Sequence, residues 1–532
     1  NRQEFGTKFG YDDENRPTSL TYSASGKEIG QSTTTIDKLN RTTFSAVKLG
    51  SKTFTSEYHF AAGGYGTGSV TNLVASITQP GCNCGYGYDD NGNIASATLN
   101  GKWTGYTYDA LGQLIQVNDH SDTRSGENGT TWTYSYDLGG NILKKERFAY
   151  NDTTTPLETV TYTYGDENWR DKLTAVNGNA IAYDAIGNPL SDGTWTYTWQ
   201  NGRQLQKMQK SGVTAEFVYN ADGLRVQKTV NGVATKYTLH GKNVVHMTSG
   251  TDELHFFYDA QNRPAVVVYN GTAYAYVKSL QGDIVAILDE NGNTVVSYGY
   301  DAWGAPLWCT GELAETLGKV QPFRYRGYVF DEETGLYYLR SRYYNPRWGR
   351  FANADAEIAV EAKLWDAKLF LYCANNPVRY TDDGGNSFWD VLADCGKALL
   401  VAAVVVAVVA VVIAATGGGG GFALAAAGGE IISGAAVADA AMTTAVAAGA
   451  TGASLMFASR AGKKFEEDYY SNHYKSHNQA ENGQFKEAVR RLKDNYDMNL
   501  TQDQQQRLHY AIRHKGYSLE EIIEEALNMF GE

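Results

Sequence analysis

Aromatic and polar positions alternate along most of the chain in one recurring pattern. Two aromatic residues flank a single spacer, then Asp, two further residues and Gly follow, as in "YTYDALGQL" from Tyr106. In "IAYDAIGNPL" Ile181 replaces the first aromatic residue. The alternation puts both aromatic side chains on one face of a strand. Asp109 is suited to accept from backbone N–H groups two residues on, and Gly112 to adopt the positive φ of a hairpin turn. Each copy therefore predicts a β-hairpin with an aromatic face.

The pattern returns at a spacing of about twenty residues, sometimes doubled, which is typical of repeat proteins. Further copies are "FGYDDENRPTSLTY" from Phe9, "YSYDLGGNI" from Tyr134, "FVYNADGLRV" from Phe217, "FFYDAQNRPA" from Phe256 and "YGYDAWGAPL" from Tyr298. One hairpin cannot bury its aromatic face, whereas hairpins side by side can. A Tyr-rich β-sandwich is the alternative, but it has no reason to keep Asp-x-x-Gly in phase with the aromatic pair.

Composition agrees with a mainly β fold. Among 532 residues, 37 Tyr outnumber 19 Phe and 57 are Gly, which favours strands joined by tight turns. The length predicts two or more structural units. The formal net charge of -13 argues against a surface that coats nucleic acid. The chain opens "NRQEFG" with neither an initiator Met nor a signal peptide, so we expect it to be the C-terminal part of a longer protein.

Over about residues 9–386 the pattern resembles that of YD-repeat, or Rhs, proteins, a family that includes teneurin shells and the C components of insecticidal toxin complexes. "RYRGYVFDEETGLYYLRSRYYNPRWGRFANAD" (Arg324 to Asp355) resembles the Rhs repeat-associated core region, and "NNPVRYTDDGG" (Asn375 to Gly385) resembles its end. The resemblance implies hairpins that spiral into a hollow, cocoon-like shell around a C-terminal payload. We therefore expect a β shell at 1–323 and the core region at 324–386.

In bacterial members of this family an aspartyl-type self-cleavage follows the core region, and the resemblance maps it onto this chain. Such chemistry needs two carboxylates that share one proton, and Asp355 and Asp382 stand at the matching positions. Arg350 is the expected charge partner, and the scissile bond maps between Asn386 and Ser387. The sequence departs from the family pattern in three places: Ala356 and Asp383 replace prolines, and Asn386 replaces Leu. The alternative is that both aspartates cap turns and the chain stays intact.

Composition changes abruptly after the core region. Residues 398–415, "ALLVAAVVVAVVAVVIAA", carry no charge and are long enough to cross a bilayer. We expect residues 387–465 to form an apolar, transmembrane-like segment that inserts into a target-cell membrane. The alternative is that this segment packs against the inside of the shell.

Residues 466–532 predict a small α-helical module. "TQDQQQRLHYAIRHKG" and "SLEEIIEEALNMF" both begin with capping-box spacing and carry an apolar stripe. His509, Arg513 and His514 are candidates for an acid–base and phosphate-binding site of a nuclease. Because Lys and Arg nearly balance Asp and Glu here, solvated faces of a binding bundle are the alternative. We expect no cofactor and no metal site.

Together these features predict a secreted or cell-surface polymorphic toxin used in interbacterial competition, whose shell encloses and severs a C-terminal effector. Expected partners are a cognate immunity protein, the target-cell membrane and secretion machinery that acts through the N-terminal part, with nucleic acid as an alternative. One rival interpretation is a structural or adhesive cell-wall protein. The other is a toxin that depolarises membranes and has no enzymatic tail.

Overall fold

The computed structural model describes residues 4–63, 70–356, 368–385 and 389–390, together with residues 489, 491–492, 508, 522–523 and 526–527. The chain divides into two compact units, Asn1–Ala402 and Ala403–Glu532. All strands of the described residues belong to the first unit.

The first fifteen strands form one antiparallel sheet in which each strand pairs with its neighbours along the chain. They are β1 Phe5–Tyr11, β2 Pro17–Ala24, β3 Lys27–Ile36, β4 Thr42–Leu49, β5 Lys52–Ala62, β6 Val70–Thr78, β7 Cys84–Tyr88, β8 Ile94–Leu99, β9 Lys102–Tyr108, β10 Leu114–Asp119, β11 Thr130–Tyr136, β12 Ile142–Ala149, β13 Glu158–Thr163, β14 Ala175–Val176 and β15 Asn179–Ala180.

The next fourteen strands form a second sheet with the same neighbour-to-neighbour order. They are β16 Ala182–Tyr183, β17 Pro189–Ser191, β18 Thr196–Gln200, β19 Gln204–Lys210, β20 Val213–Tyr219, β21 Arg225–Val230, β22 Val233–His240, β23 Asn243–Ser249, β24 Asp252–Tyr258, β25 Pro264–Tyr269, β26 Thr272–Lys278, β27 Ile284–Leu288, β28 Thr294–Tyr300 and β29 Pro306–Thr310.

The core region forms smaller elements. A four-stranded sheet comprises β30 Val329–Asp331, β31 Leu336–Tyr338, β32 Tyr343–Asn345 and β33 Arg350–Phe351, and a two-stranded one comprises β34 Tyr380–Thr381 and β35 Trp389–Asp390. One short helix, α1 Leu317–Val320, precedes it, and short 3-10 turns lie at Thr123–Ser125, Tyr325–Gly327 and Cys373–Asn375.

The predicted hairpin turns are confirmed, and Asp109 is representative of them. One carboxylate oxygen accepts from the backbone N–H of Leu111 at 2.9 Å and of Gln113 at 2.8 Å, while the other accepts from the Gln113 side-chain amide at 2.9 Å. Gly112 adopts φ +77°, as the turn requires. In "DENR" and "AQNR" an Asn with positive φ replaces the Gly, at Asn15 and Asn262. The fifth turn residue, which the sequence pattern left out, therefore completes the motif.

In seven repeats the tyrosine that precedes the turn bonds to the preceding hairpin. Its hydroxyl donates to a backbone carbonyl that lies, in most copies, at or next to the start of that hairpin's second strand. The pairs, at 2.6–3.0 Å, are Tyr88 with Val74, Tyr108 with Ile94, Tyr136 with Leu114, Tyr164 with Ile142, Tyr219 with Leu205, Tyr258 with Val244 and Tyr300 with Ile284. In these seven repeats a side-chain hydrogen bond therefore links a hairpin to the one before it, in addition to the sheet ladder.

The two sheets pack on each other at one end of the first unit. Tyr22 and Leu49 of the first sheet share a buried apolar cluster with Phe257, Val266 and Leu288 of the second. The Tyr22 hydroxyl also donates to the Tyr258 carbonyl at 2.9 Å. Strands of the second sheet therefore pack against the strands that begin the chain.

The sequence predicts a cocoon-like shell, and the described residues do not close into one. Core-region aromatics such as Tyr337, Tyr344 and Phe351 are buried in one cluster with tyrosines from both sheets, because an apolar face this large must be covered. A cavity of about 440 Å³ remains, lined by Lys242, Arg340 and other residues, which is the size of a small-molecule pocket. Within the described residues, β1 and β29 each pair with one strand only, so the sheets have open edges.

The described residues of the second unit are all helical in conformation. Among them Leu492, Leu508, Ile522 and Ala526 are buried. The last three belong to the two predicted apolar stripes, and the bundle itself stays a prediction. No helix within the described part of the chain is sufficiently long and apolar to span a bilayer. The apolar run at 398–415 and the predicted residues His509, Arg513 and His514 lie outside the described residues.

Candidate active site

Asp355 is held at the end of the polypeptide that follows β33. Its backbone N–H donates to the Leu369 carbonyl at 2.8 Å, and the preceding Ala354 donates to the Gly187 carbonyl at 3.1 Å. Gly187 belongs to the hairpin turn that begins at Asp184. The two large sheets built from the repeat hairpins, β1–β29, are called the repeat wall below. Asp355 is therefore held by the repeat wall and the core region together.

Asp382 follows β34 and begins a tight turn of its own. Its backbone N–H donates to the Tyr328 hydroxyl at 2.7 Å, and its Oδ1 accepts from the Gly385 N–H at 2.7 Å. The residue is 2% exposed. Its carboxylate thus faces the backbone that leads into residues 386–388, which include the predicted scissile bond and lie outside the described residues.

Arg342 brings the two carboxylates together. Its Nη2 lies 3.0 Å from Asp355 Oδ2 and 3.4 Å from Asp382 Oδ2. Nη1 donates to the Leu369 carbonyl at 3.0 Å and Nε donates to the Gly385 carbonyl. The guanidinium also lies over the Phe351 ring, 3.5 Å from its centroid. One buried arginine therefore contacts both predicted aspartates and the polypeptide that joins them to the C-terminal region.

Burial opposes the charge of Arg342 and lowers the pKa of its guanidinium from the ordinary value, although Asp355 and Asp382 act in the opposite direction. Arg203 is a second cation near Asp355: its charge acts on the same site, and its Nη1 donates to the Ala354 carbonyl at 2.8 Å. Asp383 adds a third carboxylate and accepts from the Thr381 hydroxyl at 2.9 Å. The site therefore combines three acids with two arginines.

Gly385 is required by the space around it. It adopts φ +77°, and an added Cβ would lie 2.5 Å from the Leu339 carbonyl oxygen and 2.7 Å from Ser341 Oγ. Because backbone atoms cannot yield as a flexible side chain does, any larger residue would displace the turn. Gly385 thus lets the polypeptide approach Arg342.

Arg350, the expected charge partner, contacts other groups. It donates to the Tyr164 hydroxyl at 2.6 Å, to the Asp171 carbonyl at 2.6 Å and to the Asn141 side chain at 3.5 Å. These contacts tie the core region to the repeat wall. The sequence signal for Arg342 was its place in the same "RSRYYNPRWGRF" segment, but nothing in that segment ranks one arginine above the other.

An unusual backbone holds the end of the core region on the repeat turns. Cys373, Ala374 and Asn375 have φ of 49°, 51° and 59°, a left-handed run that ordinary residues rarely adopt. The run directs the Asn375 amide to the Gln113 side chain at 2.8 Å and to the Gly140 carbonyl at 2.6 Å. The strained segment lies seven residues before Asp382 and fixes its approach.

Comparison with known proteins agrees with this architecture. The sequence model of the family described as Teneurin YD-shell matches residues 98–378, more than half of the chain. The chain belongs to the Teneurin YD-shell family. The YD-shell match covers the repeat hairpins from β9 onward and most of the core region, up to Val378.

Curated relatives of this YD-shell chain include nucleases and toxins. A tRNA3(Ser)-specific nuclease, WapA of Bacillus spizizenii, is 36% identical over 54% of this chain and 12% of its own length. The toxin protein Tse5 of Pseudomonas aeruginosa is 25% identical over 47% of this chain and 25% of its own. The chain therefore spans only a small part of these relatives.

Solved structures share the fold. A complex of TcdB2, TccC3 and Cdc42 matches with a TM-score of 0.54 and 18% identity over 74% of this chain and 22% of the solved chain. A Tc holotoxin pore of Photorhabdus luminescens with a mutation in TccC3 matches with a TM-score of 0.52 and 19% identity over 71% and 21%. At this identity the likeness concerns the fold alone.

Proposed function

We propose that this YD-shell chain is the part of a secreted toxin that packs around the start of its own C-terminal region and severs it. Asp355 and Asp382 perform the cleavage, and Arg342 positions them. The released C-terminal region is the effector used against competing bacteria. The nuclease and toxin relatives support the toxin class, and the geometry around Arg342 supports the cleavage.

The observation that carries the proposal is the shared contact of two buried carboxylates with one guanidinium nitrogen. The Oδ2 atoms of Asp355 and Asp382 both contact Arg342 Nη2. The distance between these two oxygen atoms therefore cannot exceed the sum of the two contact distances. The same guanidinium holds the Gly385 carbonyl, one residue before the expected bond. A pair of turn caps would have no reason to meet on the arginine that also binds this segment.

Aspartyl cleavage requires one carboxylate to act as acid while the other acts as base. Arg342 contacts both carboxylates, and the charge of Arg203 interacts with Asp355. We assign the single shared proton of the reaction to the pair formed by Asp355 and Asp382.

The step itself uses one water molecule. The ionised carboxylate takes a proton from water, and the oxygen adds to the carbonyl carbon of Asn386. The protonated carboxyl then gives its proton to the nitrogen of Ser387 as the C–N bond breaks. The products are a new carboxylate on Asn386 and a new amine on Ser387.

Intact mass of the purified 532-residue chain tests the cleavage. We expect a fragment of about 146 residues that begins at Ser387 in the unmodified protein and only the full chain in Asp382→Asn and Asp355→Asn. Arg342→Gln should slow the appearance of the fragment by at least about a hundredfold, since it removes a charged donor from the reacting groups.

The matched control is Asp222→Asn, which changes an exposed acid in a hairpin turn and should leave the appearance of the fragment unchanged. Arg350→Lys distinguishes the role of Arg350 from that of Arg342, because it changes contacts with the repeat wall and leaves the contacts of the two carboxylates with Arg342 in place. A single full-length mass in the unmodified protein, after prolonged incubation, would contradict the proposal.

The released region has its own test. Expression of residues 387–532 in a susceptible bacterium should arrest growth, and simultaneous measurement of membrane potential and RNA integrity separates membrane insertion from nuclease action. Co-expression of a small protein encoded directly downstream should restore growth if that protein is the immunity partner. Normal growth with no such neighbour would favour the adhesive cell-wall interpretation.

A further inference from the structure

Two histidines and a glutamate converge on one face of the second sheet, away from the cleavage site. His246 on β23 pairs directly with His255 on the adjacent β24. Glu253 precedes His255 by two residues, so the two side chains lie on the same face of β24. Cross-strand and diagonal neighbours in a sheet are close enough to share a ligand.

The distances among the three side chains suit a small cation. Nε2 of His246 and Nε2 of His255 each lie 3.2 Å from Oε1 of Glu253, and all three donor atoms lie within 4.8 Å of one another. A tetrahedral zinc ion with bonds of about 2.0–2.1 Å separates its ligand atoms by about 3.3–3.4 Å. Small side-chain rotations are therefore enough to admit the ion.

Packing holds the rings in position before any ion binds. Phe5 of β1 stacks on one face of His255 with ring centroids 3.5 Å apart, and His246 stacks on the other with centroids 4.3 Å apart. Because Phe5 and His246 cover the faces of the His255 ring, its edge contacts Glu253 through Nε2.

We propose that His246, Glu253 and His255 bind a zinc-class divalent cation. The set supplies two imidazole nitrogens and one carboxylate oxygen, which suits a borderline-soft ion with a fourth position open to water. The ion would clamp β23 to β24 and fix the ring on which Phe5 packs. It therefore secures the first strand of the chain against the second sheet.

Metal binding by the full 532-residue chain tests the proposal. After treatment with a chelator and its removal, the protein is titrated with zinc chloride by calorimetry, and bound metal is counted after dialysis. The His246→Asn/His255→Asn double variant should bind one zinc ion fewer per chain than the unmodified protein. Glu253→Gln should weaken that same site by at least about tenfold.

His59→Asn is the matched control, because His59 is an exposed histidine on a strand of the first sheet and should leave zinc binding unchanged. Glu253 is exposed, so its variant should fold even if a histidine variant does not, which circular dichroism without metal checks. Zinc binding that is equal in the unmodified protein, Glu253→Gln and the double variant would overturn the proposal, as would no binding by the unmodified protein.

Discussion

At the scale of single residues, the repeat depends on hydroxyl and carboxylate groups that a hydrophobicity pattern does not distinguish. Phe would fill the aromatic face as well as Tyr, but only Tyr reaches the carbonyl of the preceding hairpin. Tyr136, for example, donates to the Leu114 carbonyl at 2.6 Å. Burial raises the pKa of Tyr136 well above its usual value, so the hydroxyl stays a neutral donor. The excess of Tyr over Phe in the composition therefore has a structural cause.

Tyr136→Phe should lower the free energy of unfolding of the first unit by about 1–2 kcal/mol, because it leaves a partly buried carbonyl without this donor. The measurement is urea denaturation followed by intrinsic fluorescence. Tyr11→Phe serves as the control, since Tyr11 is 49% exposed and its change should be neutral. Equal effects of the two substitutions would contradict the role of the hydroxyl.

A buried ion pair joins the core region to the second sheet. Both carboxylate oxygens of Asp331 contact Arg225, at 2.6 and 3.0 Å, and Lys228 lies 3.2 Å from one of them. Burial opposes ionisation of Asp331, but Arg225 and Lys228 outweigh it and hold the pKa of this carboxyl below its ordinary value. The pair therefore contributes to stability only while Asp331 is ionised.

Because the folded-state pKa of Asp331 is lowered, its contribution is present above about pH 4 and is lost as the pH falls through the folded-state value. Asp331→Asn should cost about 3–5 kcal/mol at pH 7, since it leaves Arg225 buried without its partner. The cost should shrink in strongly acidic solution, as unfolding curves at several pH values would reveal. A pH-independent cost would contradict this account. Asp222→Asn, at an exposed site, is the control.

At the scale of elements, the hairpin turn is a five-residue unit that usually begins with Asp, and the backbone N–H of its fifth residue donates to that first side chain. In several copies, such as Gln113 with Asp109, the side chain of the fifth residue donates to it as well. The sequence pattern located the Asp and the Gly, and the structure adds the last position. The glycines of these turns differ in the space available around them. A Cβ added to Gly112 would meet no other atom within 4 Å, whereas a Cβ on Gly304 would lie 2.5 Å from the Tyr325 ring.

Gly112→Ala should therefore cost only the backbone penalty of positive φ, about 1–2 kcal/mol. Gly304→Ala should cost more, because Tyr325 is buried in the core region and cannot move aside. Gly112→Asn is the internal control, since Asn tolerates this backbone conformation. Thermal unfolding of the three variants gives the order, and an equal loss for both alanine variants would contradict it.

At the scale of the whole first unit, the core region joins turns from successive hairpins. Asn376 donates to the Asn93 side chain at 3.1 Å and to the Gly112 carbonyl at 2.9 Å, and Arg379 donates to the Asn91 carbonyl at 3.0 Å. These contacts span more than 260 residues of sequence. The core region therefore connects the repeat wall to the polypeptide that carries Asp382.

Asn376→Ala should destabilise the first unit by about 2–3 kcal/mol, because it removes one buried and one partly buried hydrogen bond between distant parts of the chain. It should also slow the proposed cleavage, since the segment before Asp382 loses its attachment. Asn291→Ala, in an exposed turn, is the control for both measurements. A loss of stability without any change in the cleavage rate would contradict the second prediction, because it would show that the Asn376 contacts do not position Asp382.

The sequence by itself determined the repeating hairpin, because alternation along a strand and hydrogen bonds within a turn involve residues only a few positions apart. A family resemblance predicted Asp355 and Asp382 as the cleavage pair and Arg350 as their charge partner. The structure instead places Arg342 on both carboxylates, because that contact, across 40 residues from Asp382, depends on how the core region folds against the wall. Strand register likewise decided that His246 meets His255, and burial of the tyrosine face decided that aromatic residues of the core region pack in one cluster with tyrosines of both sheets.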